Sequence, residues 1–82
     1  MVNSNYEYIE MNLLQMDVKH KTEMYAVRNK RSQLVIGYVK WNGAWRQYCF
    51  YPEGQTVWSR GCLMDVQDFL CRLAYERTGK GK

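Results

Sequence analysis

An 82-residue chain with 46% hydrophobic residues is one domain, near the size where a single core is only marginally sufficient, and that composition excludes intrinsic disorder. A formal charge of +4 permits a polyanion partner without requiring one. The cysteines, Cys49, Cys62 and Cys71, are odd in number and form no CxxC, so neither a disulfide framework nor a zinc knuckle is written here.

Aromatic residues reach 15%, with seven Tyr, three Trp and two Phe. Large rings let a small core bury much area, yet a chain this short cannot hide them all. The start, Met1, Val2, Asn3, Ser4 and Asn5, lacks the basic and apolar regions of a signal peptide. No stretch approaches the roughly 20 apolar residues of a membrane span, so a cytoplasmic protein without a membrane partner is expected. His20 is the sole histidine. A His-containing metal site would need Cys residues from a strand and a helix to converge on it, and no metal or cofactor is expected.

Residues 6–18 are ambiguous. Ile9, Met11 and Leu13 alternate with Glu10 and Asn12 as in a half-buried strand, and then Leu14, Met16 and Val18 continue in the other parity. A bulge at Leu13 and Leu14 reconciles the halves. Against this, Ser4 and Glu7 have capping-box spacing, and Tyr6, Ile9, Leu13 and Met16 share a helical face. The strand is preferred, because a three-stranded sheet would leave an uncovered edge. Lys19, His20, Lys21 and Thr22 form a basic polar turn. Residues 23–29 follow as a strand, and Asn29, Lys30, Arg31 and Ser32 as a second basic turn. Two short connections in a row imply a meander.

The strongest local signal is Asn42 with Gly43, lying between residues 33–41 and 44–51, both rich in β-branched and aromatic side chains. A two-residue loop there opposes Trp41 to Ala44, Lys40 to Trp45 and Val39 to Arg46. A three-residue loop would set Lys40 against Arg46, which like charges disfavour. In the preferred register Val35, Gly37, Val39, Trp41, Ala44, Arg46, Tyr48 and Phe50 share one face. Leu34, Ile36, Tyr38, Lys40, Trp45, Gln47, Cys49 and Tyr51 share the other. Gly37 beside Tyr48 fits a ring lying over a missing side chain.

Pro52, Glu53, Gly54 and Gln55 make a turn, and residues 56–59 a short extended piece. The helix is expected from Leu63 to about Thr78, with Ser59 or Cys62 leading into it. Leu63, Val66, Phe69, Leu70 and Leu73 form its apolar stripe. Asp65 and Asp68 lie early and Arg72 and Arg77 late, as the dipole prefers; Asp68 and Arg72 are an i,i+4 pair. Gly79 reads as the C-cap, and residues 1–5 and 79–82 should fray. The expected fold is α+β: a single domain with an antiparallel meander of four strands, or five if residues 56–59 join, and one C-terminal helix packed on one face.

The strand pattern Gly37, Lys40, Trp41, then Trp45, Arg46, Tyr48, Phe50 and Pro52, then Thr56, Val57, Trp58, Cys62, Leu63 and Phe69, resembles a family of small, mostly uncharacterised bacterial and phage proteins. Their mark is a Lys-Trp-x(3)-Trp-Arg-x-Tyr-x-Phe hairpin followed by a Cys-Leu helix. The resemblance covers about the C-terminal two-thirds of this sequence and implies a phage or prophage setting in a bacterial host cytoplasm. It implies no activity, so no functional residues carry over from it.

Catalysis lacks its parts. Cys62 sits at a helix N-terminus, where the dipole favours a thiolate, but the sole histidine lies on a distant turn; a small buried residue is the simpler reading. Dipole and ion-pair roles account for Asp65 and Asp68, and no Gly-rich phosphate loop occurs. The expectation is therefore a non-enzymatic binding module. Exposed rings beside Arg and Lys suit stacking of unpaired bases with phosphate neutralisation, so single-stranded nucleic acid is the first partner class. Lys40, Trp45, Arg46, Trp58 and Arg60 are the expected contact residues, with Lys19, Lys21, Lys30 and Arg31 as electrostatic support. The same residue types mark protein hot spots, so a host protein inhibited by a phage factor, or a homodimer through that surface, is the alternative. A DNA mimic should be acidic, which this chain is not.

Overall fold

Ile9, Met11 and Leu13 do alternate in a strand. The structure, a computed structural model, describes residues 6–19 and 21–77, and in it β1 spans Ile9–Asp17. The expected bulge is there: Leu13 opposes Tyr25, Gln15 opposes Met24, and Leu14 is the extra residue. The bulge keeps Met16 on the same face as Leu13 despite the odd spacing. β2 spans Thr22–Asn29, β3 Val35–Asn42 and β4 Gln47–Pro52, in the order β1-β2-β3-β4 with every pair antiparallel. This is the expected four-stranded meander. Residues 56–59 add no fifth strand; they run as a loop in which Trp58 turns inward and packs edge-on against Phe50 at 4.6 Å.

The β3–β4 register differs from the expected one. Asn42 faces Gln47 and Trp41 faces Tyr48, so the loop is Gly43, Ala44, Trp45 and Arg46, four residues rather than two. Asn42 supplies a cap instead of a turn centre. Its side-chain oxygen accepts the Trp45 N–H at 3.0 Å and its carbonyl the Arg46 N–H at 2.7 Å. Arg46 closes the loop at φ 56°, a left-handed conformation that costs a non-glycine residue energy. The displacement is even-numbered, so the paired residues from Gly37 onward keep their faces, whereas Val35, opposite Arg28 beyond an irregularity at Ile36, lies on the face expected for Ile36. Trp45 and Arg46 leave the sheet altogether. Gly37 consequently lies under Phe50 rather than Tyr48, and a Cβ there would fall 2.5 Å from the Phe50 ring.

α1 spans Arg60–Arg77, three residues earlier than expected. Ser59 is the N-cap: its hydroxyl accepts the Cys62 N–H at 3.1 Å, and its carbonyl accepts the Leu63 N–H. The first turn therefore holds no acidic residue, and Asp65 falls in the second. Cys62, Val66, Phe69 and Leu73 form the buried stripe, while Leu63 is exposed and Leu70 half-buried. They close the core with Ile9, Met11, Val27, Val39 and Tyr48. Each fully buried side chain of this size contributes roughly 1.5–3 kcal/mol. Phe69, wholly buried, meets Tyr25 edge-on at 4.8 Å. A second bulge, at Ile36, turns that residue toward the core as well. The capping box at Ser4, the expected fraying of residues 1–5 and 79–82, the Gly79 cap and His20 lie outside the described residues.

Candidate functional site

Placing α1 decides which rings are spare. It covers the face that carries Val39, Trp41, Tyr48 and Phe50. No described helix covers the other face. Across its middle runs the row Asn12, Ala26, Tyr38, Tyr51, each residue directly opposite the next on the neighbouring strand. Ala26, buried between larger neighbours, makes a low floor, and both tyrosines are half-buried. One step along, Lys40 is exposed and holds its ammonium 4.7 Å from the centre of the Tyr51 ring. The Tyr51 hydroxyl accepts from Asn42 Nδ2 at 3.1 Å, which fixes that ring against the base of the loop. At the far side Arg28 donates to Asn12 Oδ1 at 3.2 Å and lies 3.7 Å from Glu10, so its charge is locally answered.

The meander places the β1–β2 and β3–β4 turns at one end of the sheet, with Lys19, Lys21, Trp45 and Arg46 there. All four are exposed, and Trp45 is the most open of the three tryptophans at 69%. Lys21 also has a left-handed backbone, φ 57°. Its carbonyl accepts from Arg77 Nη1 at 3.0 Å, while the Arg77 guanidinium lies 4.1 Å from the Trp41 ring. The end of α1 is thereby fastened to the β1–β2 turn and to β3. Beside it a depression of about 430 Å³ is lined by Lys21 and Arg77 but also by Glu23 and Glu76. Matched charge there gives a polyanion no advantage.

The remaining expected residues go elsewhere. Lys30 and Arg31 occupy the β2–β3 turn at the opposite end, about 26 Å away by the length of an eight-residue strand. They share a second depression, of about 410 Å³, with Ser59 and Cys62 at the start of α1. Arg60 opens that same helix. Trp58 is half-buried, its indole N–H donating to Thr56 Oγ1 at 2.9 Å, so its ring closes the core edge. The structure thus gathers Lys40, Trp45, Arg46, Lys19 and Lys21 and separates them from Trp58, Arg60, Lys30 and Arg31. Tyr38 and Tyr51 were not among the expected contact residues, although the face assignment already set them beside Lys40.

The titratable groups with displaced pKa serve the covered side. The Asp68 carboxylate is held below its usual range by the Arg72 guanidinium at 2.8 Å and by the Tyr6 hydroxyl, which donates to it at 2.8 Å. That is the expected i,i+4 pair. Burial, then Glu7 and Asp68, push Asp65 up. Burial and the hydrogen bond to Glu23 raise Tyr25, whose hydroxyl donates to that carboxylate at 2.7 Å. Among the described residues no three of His, Cys, Asp and Glu are grouped to hold a metal ion. No described helix is long and apolar enough to cross a membrane.

Over 57 residues the chain is 35% identical to an uncharacterised 9.3 kDa protein of Acholeplasma phage L2, a match spanning 70% of this chain and 73% of the phage protein. The chain belongs to that protein's family. This agrees with the resemblance to small phage proteins, and it brings no activity with it. No profile of a known protein family matches the chain, and no solved structure does.

Proposed function

We propose that this protein is a non-enzymatic phage accessory module that binds single-stranded nucleic acid through the helix-free face of its sheet and the loop end above it. The observation that carries this reading is the segregation of rings. Trp41, Tyr48, Phe50 and Trp58 pack on the helix side, while Tyr38 and Tyr51 stay half-open beside Lys40, with Trp45, Arg46 and Lys19 exposed at the loop end of the sheet. Bases stack on such rings without sequence preference, and cations alongside neutralise the backbone. The non-enzymatic part rests on the same sorting: Cys62 lies in the core cluster, and Asp68 is held by Arg72 and Tyr6.

The test uses the intrinsic fluorescence of Trp45, the tryptophan most open to a ligand. Titration with an oligothymidylate at low salt should quench it. Three cations along the strand, Lys40, Arg46 and Lys19, give a log–log salt slope of about −2. Absence of quenching at low salt overturns the reading. If a nuclease-treated host lysate then yields one retained protein, a host-protein partner replaces it.

A further inference from the structure

The two edges of the sheet are built differently. β4 is six residues long, ends at Pro52, and lies against α1, with Trp58 of the following loop packed on Phe50. Short length and a terminal proline are the usual defences of an edge. β1 is nine residues long, contains neither Lys nor Pro, and among the described residues has no strand beyond it. Its apolar stripe starts in the core with Ile9 and Met11, then outruns the helix. Leu13, Leu14, Met16 and Val18 are 51%, 54%, 52% and 77% exposed. An edge with no described strand beside it and four large apolar exposures within six residues invites a strand.

We infer that the occupant is a second copy of this chain, pairing β1 antiparallel to β1 about a two-fold axis at Gln15. Three observations favour a copy over a foreign peptide. The first is the bulge. Because Leu14 is an extra residue, Leu13 and Met16 lie on the same face of the sheet, so Leu13 of one copy meets Met16 of the other. An unbulged strand could not satisfy that register with two-fold symmetry, since residues an odd number apart point to opposite faces. The second is charge. Glu10 near the start of β1 then falls beside Lys19 just past the end of the other copy's strand, and both symmetry-related contacts are favourable. The third is closure. With β4 defended, pairing stops at two copies and gives an isologous dimer rather than a fibre. A nine-residue strand runs about 30 Å. One strand flank is a small contact beside the roughly 1,200–2,000 Å² of stable complexes, so the dimer should depend on concentration.

The pairing makes one eight-stranded sheet with both helices on one side. The two faces bearing Tyr38, Tyr51 and Lys40 become continuous on the other. Dimerisation needs no nucleic acid, so it is tested apart from the binding reading.

Sedimentation equilibrium of the full chain, from micromolar to near-millimolar, should show mass rising from 9.8 kDa toward twice that value. Met16→Lys should weaken the dimer by about tenfold or more, because it places a charge opposite Leu13. Met64→Lys, at a helix position of similar exposure (55%), should leave it unchanged. Glu10→Lys should weaken association and Lys19→Glu added to it should restore it, a rescue that a merely sticky edge would not show. A chain that stays monomeric throughout overturns the inference. So does equal loss from Met64→Lys, or a failed charge rescue with both variants folded by circular dichroism.

Discussion

The two faces of one sheet use the same residue types for opposite ends. On the helix side Tyr48 and Phe50 are pressed against Trp41 and Trp58 in edge-on pairs, 5.4 and 4.6 Å between centres. On the other side Tyr38 and Tyr51 sit opposite each other on adjacent strands, with Lys40 over one ring and no described helix above them. Strand alternation alone separates the sets, since adjacent residues such as Phe50 and Tyr51 point opposite ways. The difference teaches that aromatic content in a small domain divides into a part that folds it and a part left free to act. Mutations should therefore separate stability from binding according to face.

The largest contrast comes from Phe69→Ala set against Tyr38→Ala. Phe69 has no exposed surface and packs from α1 edge-on against Tyr25 of the sheet, so its truncation should cost about 3–5 kcal/mol in urea denaturation. Tyr38→Ala should cost under about 1 kcal/mol yet weaken oligothymidylate binding by about 1–3 kcal/mol, the worth of one stacked base. A Tyr38 variant that unfolds like the Phe69 variant would erase the division between faces.

Gly37→Ala probes how tightly the covered face is closed. The added methyl would meet Phe50 Cε1 at 2.5 Å, Cζ at 2.7 Å and the Tyr51 carbonyl at 3.0 Å. The ring is itself clamped by Trp58, so it has little room to retreat. A loss of about 1–3 kcal/mol is expected from this overpacking, with oligonucleotide binding retained in the folded fraction.

A smaller, pH-dependent effect belongs to the covered side as well. Burial first, then a carboxylate hydrogen bond, raises both Tyr6 and Tyr25 above the ordinary tyrosine value. A raised folded-state pKa means the unfolded chain releases its proton first. The stabilising share of these hydroxyls is therefore complete below about pH 10 and is lost as pH climbs beyond it. Melting temperatures at pH 9 and pH 11 should show the decline, and Tyr25→Phe should flatten it. An unchanged slope in that variant would mean the alkaline loss arises elsewhere.

Much of this was legible in the residues themselves. The bulge at Leu13 and Leu14 follows from a parity slip in the apolar pattern, and the helix stripe from its spacing. The hairpin register did not follow. Asn42 beside Gly43 fits a two-residue turn, but Asn42 can equally cap a wider loop through its side chain, and nothing local separates the two. Pairing Trp41 with Tyr48 and Val39 with Phe50 buries large side chains together, a long-range gain that the turn signal does not contain. The candidate site inherited that miss. Lys40 was placed correctly on its face, while Trp45 and Arg46 were read as strand residues and Trp58 as a free ring. The division of basic residues between the two ends depends on which turns a meander brings together. Lys19 and Lys21 could have been grouped with Arg46, and parted from Lys30 and Arg31, from the topology alone.

Arg46 gives the smallest stability effect and the sharpest test of the loop. It holds φ 56° without being glycine, and its side chain is exposed with the backbone N–H bonded to Asn42. Replacing it by glycine removes the steric cost of that conformation while leaving the N–H donor in place. The gain is partly offset by the greater freedom of glycine in the unfolded chain. Arg46→Gly should thus be neutral or stabilising by up to about 1 kcal/mol. If the loop end contacts phosphate, the same change should lower oligonucleotide affinity and make the salt slope shallower by about 0.7, one phosphate contact on a single strand. Lys30→Gly, at the other end of the sheet, should leave that slope untouched. A variant that is more stable, binds less and responds less to salt would assign the left-handed arginine to the ligand rather than to the fold. A slope unchanged from the parent would remove Arg46 from the contact surface and leave the open face to act through Tyr38, Tyr51 and Lys40.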